Sequence, residues 1–400
     1  MSQAADGPLE GLKVVEMGTL IAGPFCGQIL GDFGADVVKI EDPGTGDPMR
    51  QWGRSLPKGL SPWWPVIGRN KRSVTLNLRT PEGREIAQKL IDQADVLIEN
   101  FRPGTLEKWG MGYDALAARN QRLIVARVSG FGQTGPWASR AGYGLIGEAM
   151  GGLRHVTGER DRPPARAGIS IGDSLTAMHA VMGITMALHA RERTGRGQMI
   201  DAALYESVLA VMENLVTEYD LTGYVRERSG SILPGIAPSN VYPCAEGEMI
   251  LIGGNGDTVF ARLAQAMGQA ELASDPRYAT HAARGTNQAE LDAIIAAWTQ
   301  GWKLDELLAH LEENGVPCGR IFRAPDMLEH EQFKARESIV ETEHPVFGKV
   351  KMQNAFPKLS ETPGAVRWPG PDLGQHTDEV LAEIGVDAAA AAALRGKGVV

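Results

Sequence analysis

The chain has 400 residues, 43% hydrophobic and 22% charged, with a formal net charge of −9. This is ordinary globular composition for two domains, or one large and one small. The negative balance and the lack of any basic block argue against nucleic acid as a partner, and no uninterrupted run of eighteen apolar residues is present to span a membrane.

Residues 1–8 are short and polar, without the apolar core of a secretory signal, so a cytoplasmic protein is expected. Residues 12–16 read as a strand. Ala22-Gly23-Pro24 then opens a helix, with Pro24 expected at its first position. Phe25, Ile29, Leu30 and Phe33 recur at helical spacing, and Gly34 ends the helix. Residues 37–41 form the next strand, which completes a βαβ unit. A strand at 73–78 leads to a helix through Ile91, with Thr80 as its cap and Pro81 at its first position. Strands follow at 96–100 and 123–128. This alternation predicts an α/β fold: a Rossmann-like, doubly wound, mostly parallel sheet in a large domain.

Two long apolar helices are expected at 174–191 and 204–219. Beyond Tyr224 the character changes. Residues 226–238 are rich in Gly, Ser, Pro and charge and read as a linker or active-site loop. A strand at 249–252 and helices at 257–267, 288–298 and 304–313 suggest a smaller α+β domain. A hairpin strand at 346–352 and helices at 377–384 and 388–394 follow. The expected division is 1–224 for the first part of the large domain, 225–325 for the small domain with its linkers, and 326–400 for the return to the large domain.

Cys26, Cys244 and Cys318 are far apart and odd in number, which suits a reducing compartment and gives no zinc pattern. The eight histidines show no metal-ligand spacing, so a metal-free enzyme is expected. The first strand-to-helix turn lacks the G-x-G-x-x-G fingerprint that a nicotinamide enzyme uses to approach a pyrophosphate. There is no Walker A motif and no G-x-S-x-G elbow. A carboxylate nucleophile therefore becomes a serious option. Asp173, in Gly172-Asp173-Ser174, precedes the long apolar run and is expected at the N-cap of its helix. Taken alone it would read as a cap. The positive end of the helix dipole would also keep its carboxylate ionised.

An ordered series of short stretches carries a family resemblance along nearly the whole chain. It includes Ala22-Gly23-Pro24, Gly34-Ala35-Asp36-Val37-Val38-Lys39-Ile40-Glu41, Asn70-Lys71-Arg72-Ser73, Glu99-Asn100-Phe101-Arg102-Pro103-Gly104, Thr194-Gly195-Arg196-Gly197-Gln198 and Leu373-Gly374-Gln375-His376-Thr377. The chain resembles the class III coenzyme A transferases, the CaiB/BaiF or formyl-CoA transferase family. The resemblance implies a two-domain subunit, an interlocked homodimer, and acyl-CoA and small carboxylic acids as substrates, with no tightly bound cofactor. It makes Asp173 the nucleophile of a reaction through aspartyl intermediates. Leu20, Ile21, Ala22, Leu76, Arg79, Asn100, Phe101, Lys108 and Trp109 match CoA-contacting positions. Trp52 and Tyr143 match positions at the acyl pocket.

Two departures matter. Gly144 stands where the family often has an acid after the tyrosine, and Glu148, one helical turn on, is the nearby candidate to replace it. The lid region reads Pro234-Gly235-Ile236-Ala237-Pro238-Ser239-Asn240 in place of a run of glycines. This looks more like members that use succinyl-CoA and larger dicarboxylates, with Gly235 at the substrate pocket. The α-methylacyl-CoA racemases of the same fold are the rival reading. Their pattern places His-Asp where Tyr143-Gly144 stands, and a tyrosine of pKa about 10 suits proton exchange poorly. A catalytically silent CoA-binding protein is the third.

Overall fold

The computed structural model describes residues 7–54 and 56–400. Six parallel strands form the central sheet: β1 (Lys13–Glu16), β2 (Asp36–Glu41), β3 (Lys71–Thr75), β4 (Val96–Glu99), β5 (Ile124–Ser129) and β6 (Met199–Ala203). Their spatial order is β3-β2-β1-β4-β5-β6. The order reverses between β1 and β4, and that is where open α/β sheets bind ligands.

Adjacent residues of each strand serve opposite faces, as the pleat requires. Val15, Val38, Leu97 and Val125 point into one core with Ile86, Leu90, Leu381 and Ala391. Val14, Val37, Ile98 and Ala126 point into the other with Leu30, Ala177, Ala180 and Ile184. Helices therefore cover both faces. The first face is completed by the C-terminal segment: Thr75 N–H donates to Thr377 Oγ1 (3.0 Å), and Asn77 N–H donates to the Val399 carbonyl (2.7 Å).

Helix ends follow the sequence in most places. Thr80 Oγ1 accepts the Gly83 N–H at 3.0 Å, and Pro81 opens that helix as expected. Gly195, at φ 69°, closes the helix Ile171–Thr194. Three expectations need correction. The first helix spans Ala22–Asp32, so Pro24 is its third residue, not its first. Asp173 is likewise not the N-cap. Ser170 holds that place without a side-chain capping bond, and Asp173 sits third in the first turn, still within reach of the positive end of the dipole. The segment expected as one helix over 204–219 is two, Leu204–Leu209 and Leu215–Thr222, interrupted where Glu213 takes a φ of 53°.

The helix Ile171–Thr194 also qualifies the membrane expectation. Its 18-residue window reaches a mean hydropathy of 1.2, enough by length and composition to cross a bilayer. Gly172, Asp173, Ser174, Thr176, His179, Gly183, Thr185 and His189 interrupt the apolar run, yet its average stays at that level. Its inner residues Ala177, Ala180, Ile184 and Ala187 are buried in the core beneath the sheet.

By contacts the chain divides into two units. One runs through Arg154 and adds Ala167–Leu215 and Lys334–Val400; the other is His155–Arg166 with Val216–Phe333. The sequence-based boundaries at 224 and 325 thus stand beside observed ones at 215 and 333, with an added excursion at 155–166. The second unit has an antiparallel sheet, β7 (Ser239–Pro243), β8 (Met249–Gly253) and β9 (Cys318–Arg320), over its own core of Tyr242, Ile250, Phe260, Leu291 and Leu307. Strands β10 (Ile339–His344) and β11 (Gly348–Gln353) pair as a hairpin in the first unit.

Candidate active site

Loops leaving the C-terminal ends of the sheet strands enclose two cavities. One, of about 190 Å³, takes Thr19–Ala22 after β1, Asn100–Pro103 after β4, Ser129 and Gly130 at the end of β5, Arg140–Tyr143, Asp173 and Leu204. The other, of about 300 Å³, lies toward β2 and β3 and is walled by Met17, Ile40, Leu76, Leu78, Phe101 and Trp109, with Arg79 at its edge. Thr19 and Phe101 line both. A polar chamber that holds Asp173 and an apolar slot thus share a wall on the edge of the sheet.

That wall is held by reciprocal bonds. Thr19 N–H donates to Asn100 Oδ1 (2.9 Å) and Asn100 Nδ2 donates to the Thr19 carbonyl (2.8 Å). Leu20 carries a φ of 66°, a left-handed conformation that costs a residue with a β-carbon about 1–2 kcal/mol. Its N–H donates to Asp47 Oδ1 at 3.2 Å. Asp47 is in turn ion-paired with buried Lys39 (2.8 Å), which also pairs with Glu16 (2.9 Å) and donates to the Gly18 carbonyl (2.8 Å). Lys71 joins Glu16 from the other side at 2.8 Å. Burial alone would lower the pKa of Lys39, but Asp47 and Glu16 reverse this and raise it. Burial dominates at Lys71, whose pKa is lowered despite Glu16. Removing one partner from such a network leaves a charge stranded in low dielectric, at about 3–5 kcal/mol.

Phe101 is fixed from below and from the side. Its N–H donates to Glu99 Oε2 at 2.7 Å, and Glu99 is paired with Arg127 at 2.8 Å. Burial raises the pKa of Glu99, and Arg127 offsets only part of this. The Trp109 ring meets Phe101 edge to face with centroids 5.1 Å apart.

The cavity holding Asp173 is built on close backbone approaches. A β-carbon on Gly130 would lie 2.8 Å from the Gly142 Cα, so these two loops touch backbone to backbone. Gly144 opens the helix Gly144–Met150 directly beneath the Asp173 carboxylate. Tyr143, its N-cap, is 62% exposed and lines the cavity.

The structure therefore brings Leu20, Ile21, Ala22, Asn100, Phe101, Tyr143 and Asp173 into one cavity, and Leu76, Arg79, Phe101 and Trp109 into its neighbour. Arg79 is exposed and paired with Asp42 at 2.8 Å. Lys108 is exposed at the end of the short helix Thr105–Lys108 and lines neither cavity. Trp52 also lines neither; its ring meets Trp63 edge to face, and its carbonyl accepts from Ser61 Oγ. Gly235 lies in the smaller unit, at a φ of 80°, with its N–H donating to Gln288 Oε1 at 3.2 Å. Glu148 is buried under Gly172 and paired with Arg154 at 2.9 Å, outside the Asp173 cavity. It is not a second carboxylate facing that space. Among the described residues no group of three or more His, Cys, Asp and Glu side chains could hold a metal ion.

Sequence reasoning did not single out Ser129, whose buried Oγ finds no partner among the described residues, or Arg140. The signal for Arg140 was its place three residues before Tyr143.

Comparison with known proteins agrees with this geometry. The family model described as CoA-transferase family III matches residues 9–377. The chain is 57% identical over 383 residues to a succinyl-CoA–D-citramalate CoA-transferase of Chloroflexus aurantiacus, covering 96% of this chain and 95% of that protein. It is 42% identical to the beta subunit of a succinyl-CoA–L-malate CoA-transferase of the same organism, covering 94% of each. A solved structure of a CAIB/BAIF family protein from Brucella suis superposes with a TM-score of 0.83 at 39% identity, covering 95% of this chain and all of that one.

Proposed function

The chain belongs to CoA-transferase family III, and we propose that it moves CoA from succinyl-CoA to a dicarboxylic acid of the citramalate or malate type, with Asp173 as nucleophile. The observation that carries this reading is the Asp173 carboxylate in a cavity whose wall, Thr19 and Phe101, is shared with an apolar slot sized for part of a CoA arm. Tyr143, with no histidine among the residues lining that cavity, favours transfer over racemisation.

In this mechanism the Asp173 carboxylate attacks the thioester carbonyl of the donor. The C–S bond breaks, CoA leaves as thiolate, and a mixed anhydride joins Asp173 to the succinyl group. The thiolate stays held by the slot and attacks the Asp173 carbonyl. Succinate departs as carboxylate, and an aspartyl-CoA thioester remains. The acceptor carboxylate attacks that thioester and again expels thiolate, which then attacks the acceptor acyl carbon of the second anhydride. Asp173 returns as carboxylate. Each step exchanges one acyl bond for another and needs no proton carrier, which fits a site with a carboxylate and no imidazole. The Asn100 clamp and the Leu20 turn keep the thiolate within reach between steps, and such positioning is worth orders of magnitude in rate.

The outer face of the helix Ile171–Thr194 supports assembly with a second copy. Met178, Met182 and Met186 form a stripe four residues apart and are 51%, 51% and 63% exposed. A contiguous apolar stripe of this kind is usually covered. An interlocked homodimer in the cytoplasm, where thiols such as Cys26, Cys244 and Cys318 stay reduced, completes the proposal.

The test is incubation of the purified enzyme with succinyl-CoA and citramalate or malate, with mass detection of the new thioester. Its formation only with the acid present supports transfer. Hydrolysis alone, or α-deuteration of a 2-methylacyl-CoA in deuterated water, would point elsewhere.

A further inference from the structure

Arg102 and Arg140, both exposed, are among the residues lining the cavity that holds Asp173. Neither side chain has a hydrogen bond or ion pair among the described residues. This sets them apart from Arg79 and Arg127, which are matched to Asp42 and to Glu99 with Glu107. Two unmatched cations beside one carboxylate leave the chamber ready for more negative charge than Asp173 supplies.

The two arginines face different parts of the reaction. Arg102 follows Phe101, the residue shared with the apolar slot, and so belongs to the CoA side. Arg140 lies on the segment that runs into Tyr143 and then Gly144, directly beneath the Asp173 carboxylate. It is also held in place. Its guanidinium carbon lies 4.0 Å from the centre of the Trp137 ring, and Phe131 meets Trp137 edge to face at 5.5 Å. A guanidinium resting on a ring face keeps its in-plane N–H groups open to a ligand.

We propose that Arg140 receives the carboxylate at the far end of the acceptor acid, which makes it the residue that selects dicarboxylic over monocarboxylic acids. This rests on the transferase reading above. An acceptor that presents one carboxylate to the aspartyl thioester brings its second into the same cavity of about 190 Å³, where the bound acid itself displaces solvent from around that charge. A carboxylate desolvated in this way without a partner is costly. The fork of an arginine offers two parallel charge-assisted bonds to it. A methyl group in the same place leaves the arginine unpaired, so discrimination comes from both sides of the comparison.

The experiment measures kcat/KM for pairs of acceptors of equal length, glutarate against valerate and malate against 2-hydroxybutyrate, with succinyl-CoA as the fixed donor. In a two-stage reaction the acceptor kcat/KM reports the second stage alone, so any effect on the donor drops out. Arg140→Met is expected to lower the dicarboxylate value about 10–100-fold, the worth of a charge-assisted pair, and to leave the monocarboxylate value nearly unchanged. Arg140→Lys should recover part of the preference. Trp137→Leu, which frees the guanidinium without removing it, should raise KM for the dicarboxylate more than it lowers kcat. The inference is overturned if Arg140→Met lowers both acids equally or leaves the ratio as it was. If the unsubstituted enzyme transfers no CoA at all, the transferase reading fails and this inference fails with it. If it transfers normally and only the ratio is indifferent to Arg140, this inference alone fails.

Discussion

A β-carbon built on residue 144 would stand 2.0 Å from Oδ2 of Asp173 and 2.7 Å from its Cγ. The carboxylate occupies the volume that any side chain at 144 would need. Gly144 therefore does more than lack an acid; it makes the room in which Asp173 lies.

Gly144→Ala should leave the fold intact and damage catalysis. The backbone at 144 does not need the left-handed conformation, and the clash is with the end of a side chain that can rotate away. A displacement of about 1 Å is enough to cost roughly 100-fold in rate. The melting temperature is expected to move little while kcat falls. An Ala variant with unchanged kcat would show that the carboxylate reacts from another position.

Asp173→Asn keeps the size and polarity of the side chain in the first helical turn and removes the proposed nucleophile. Transfer should drop by at least about 1,000-fold, as it does when covalent nucleophiles are removed, with acyl-CoA still bound. Digestion and mass analysis after incubation with succinyl-CoA should find CoA attached to the Asp173 peptide of the unsubstituted enzyme and not of the variant.

Asn100→Ala unties Thr19 from the loop after β4. Both bonds of the clamp are lost at once, and the left-handed Leu20 turn loses its neighbour. Partly buried polar groups left unsatisfied cost about 1–3 kcal/mol. KM for acyl-CoA should rise about tenfold or more, with a smaller change in kcat, since the wall shared by the two cavities loosens while Asp173 stays in place. Steady-state kinetics at fixed acceptor would measure the split.

Glu41 sets part of the acid limit. Burial would raise its pKa, but the hydrogen bonds and charge of Arg50, with help from Lys39 and Ser73, overcome this and lower it. An acid whose pKa is depressed on folding adds stability above its unfolded value, near 4.5, and that stability is lost as pH falls through the folded value. Glu41→Gln should lower stability at pH 7 by about 3–5 kcal/mol, because Arg50 is left buried without its partner. It should also flatten the fall in stability below pH 5. Urea unfolding at pH 7, 5 and 4 would show both.

The strands and their order were legible because a twofold pleat writes itself locally. Val14-Val15 and Val37-Val38 alternate between two cores within four residues of chain. Thr80-Pro81 announced a helix start for the same local reason. Asp173 stood out beside its glycine and its long apolar helix, but its true place within the first turn depended on Ser170 and Gly172, whose sequence does not distinguish cap from first turn. The break at Glu213 interrupts a pattern of apolar residues that is helical by period on both sides. Least legible were the pairings that cross the fold. Lys39 meets Glu16 and Asp47, and Asn100 meets Thr19 across 81 positions; no local spacing encodes such contacts. Arg140 belongs with these, because its meaning comes from the cavity it shares with Asp173.

The covering of one sheet face by residues 377–400 imposes an order on synthesis. All of His155–Arg166 and Val216–Phe333 have been made before Lys334 is added, so the smaller unit has its complete sequence while the larger one still lacks a wall. Until Leu381, Ala391 and Val399 arrive, Val74, Leu76 and Ile86 belong to an open apolar surface, and the slot that includes Leu76 rests on an unfinished floor. Since domains tend to fold as units as they are synthesised, the smaller unit is expected to mature first. The proposed acyl-CoA site is then expected to be among the last features of the molecule to form, after the C-terminal segment has been made.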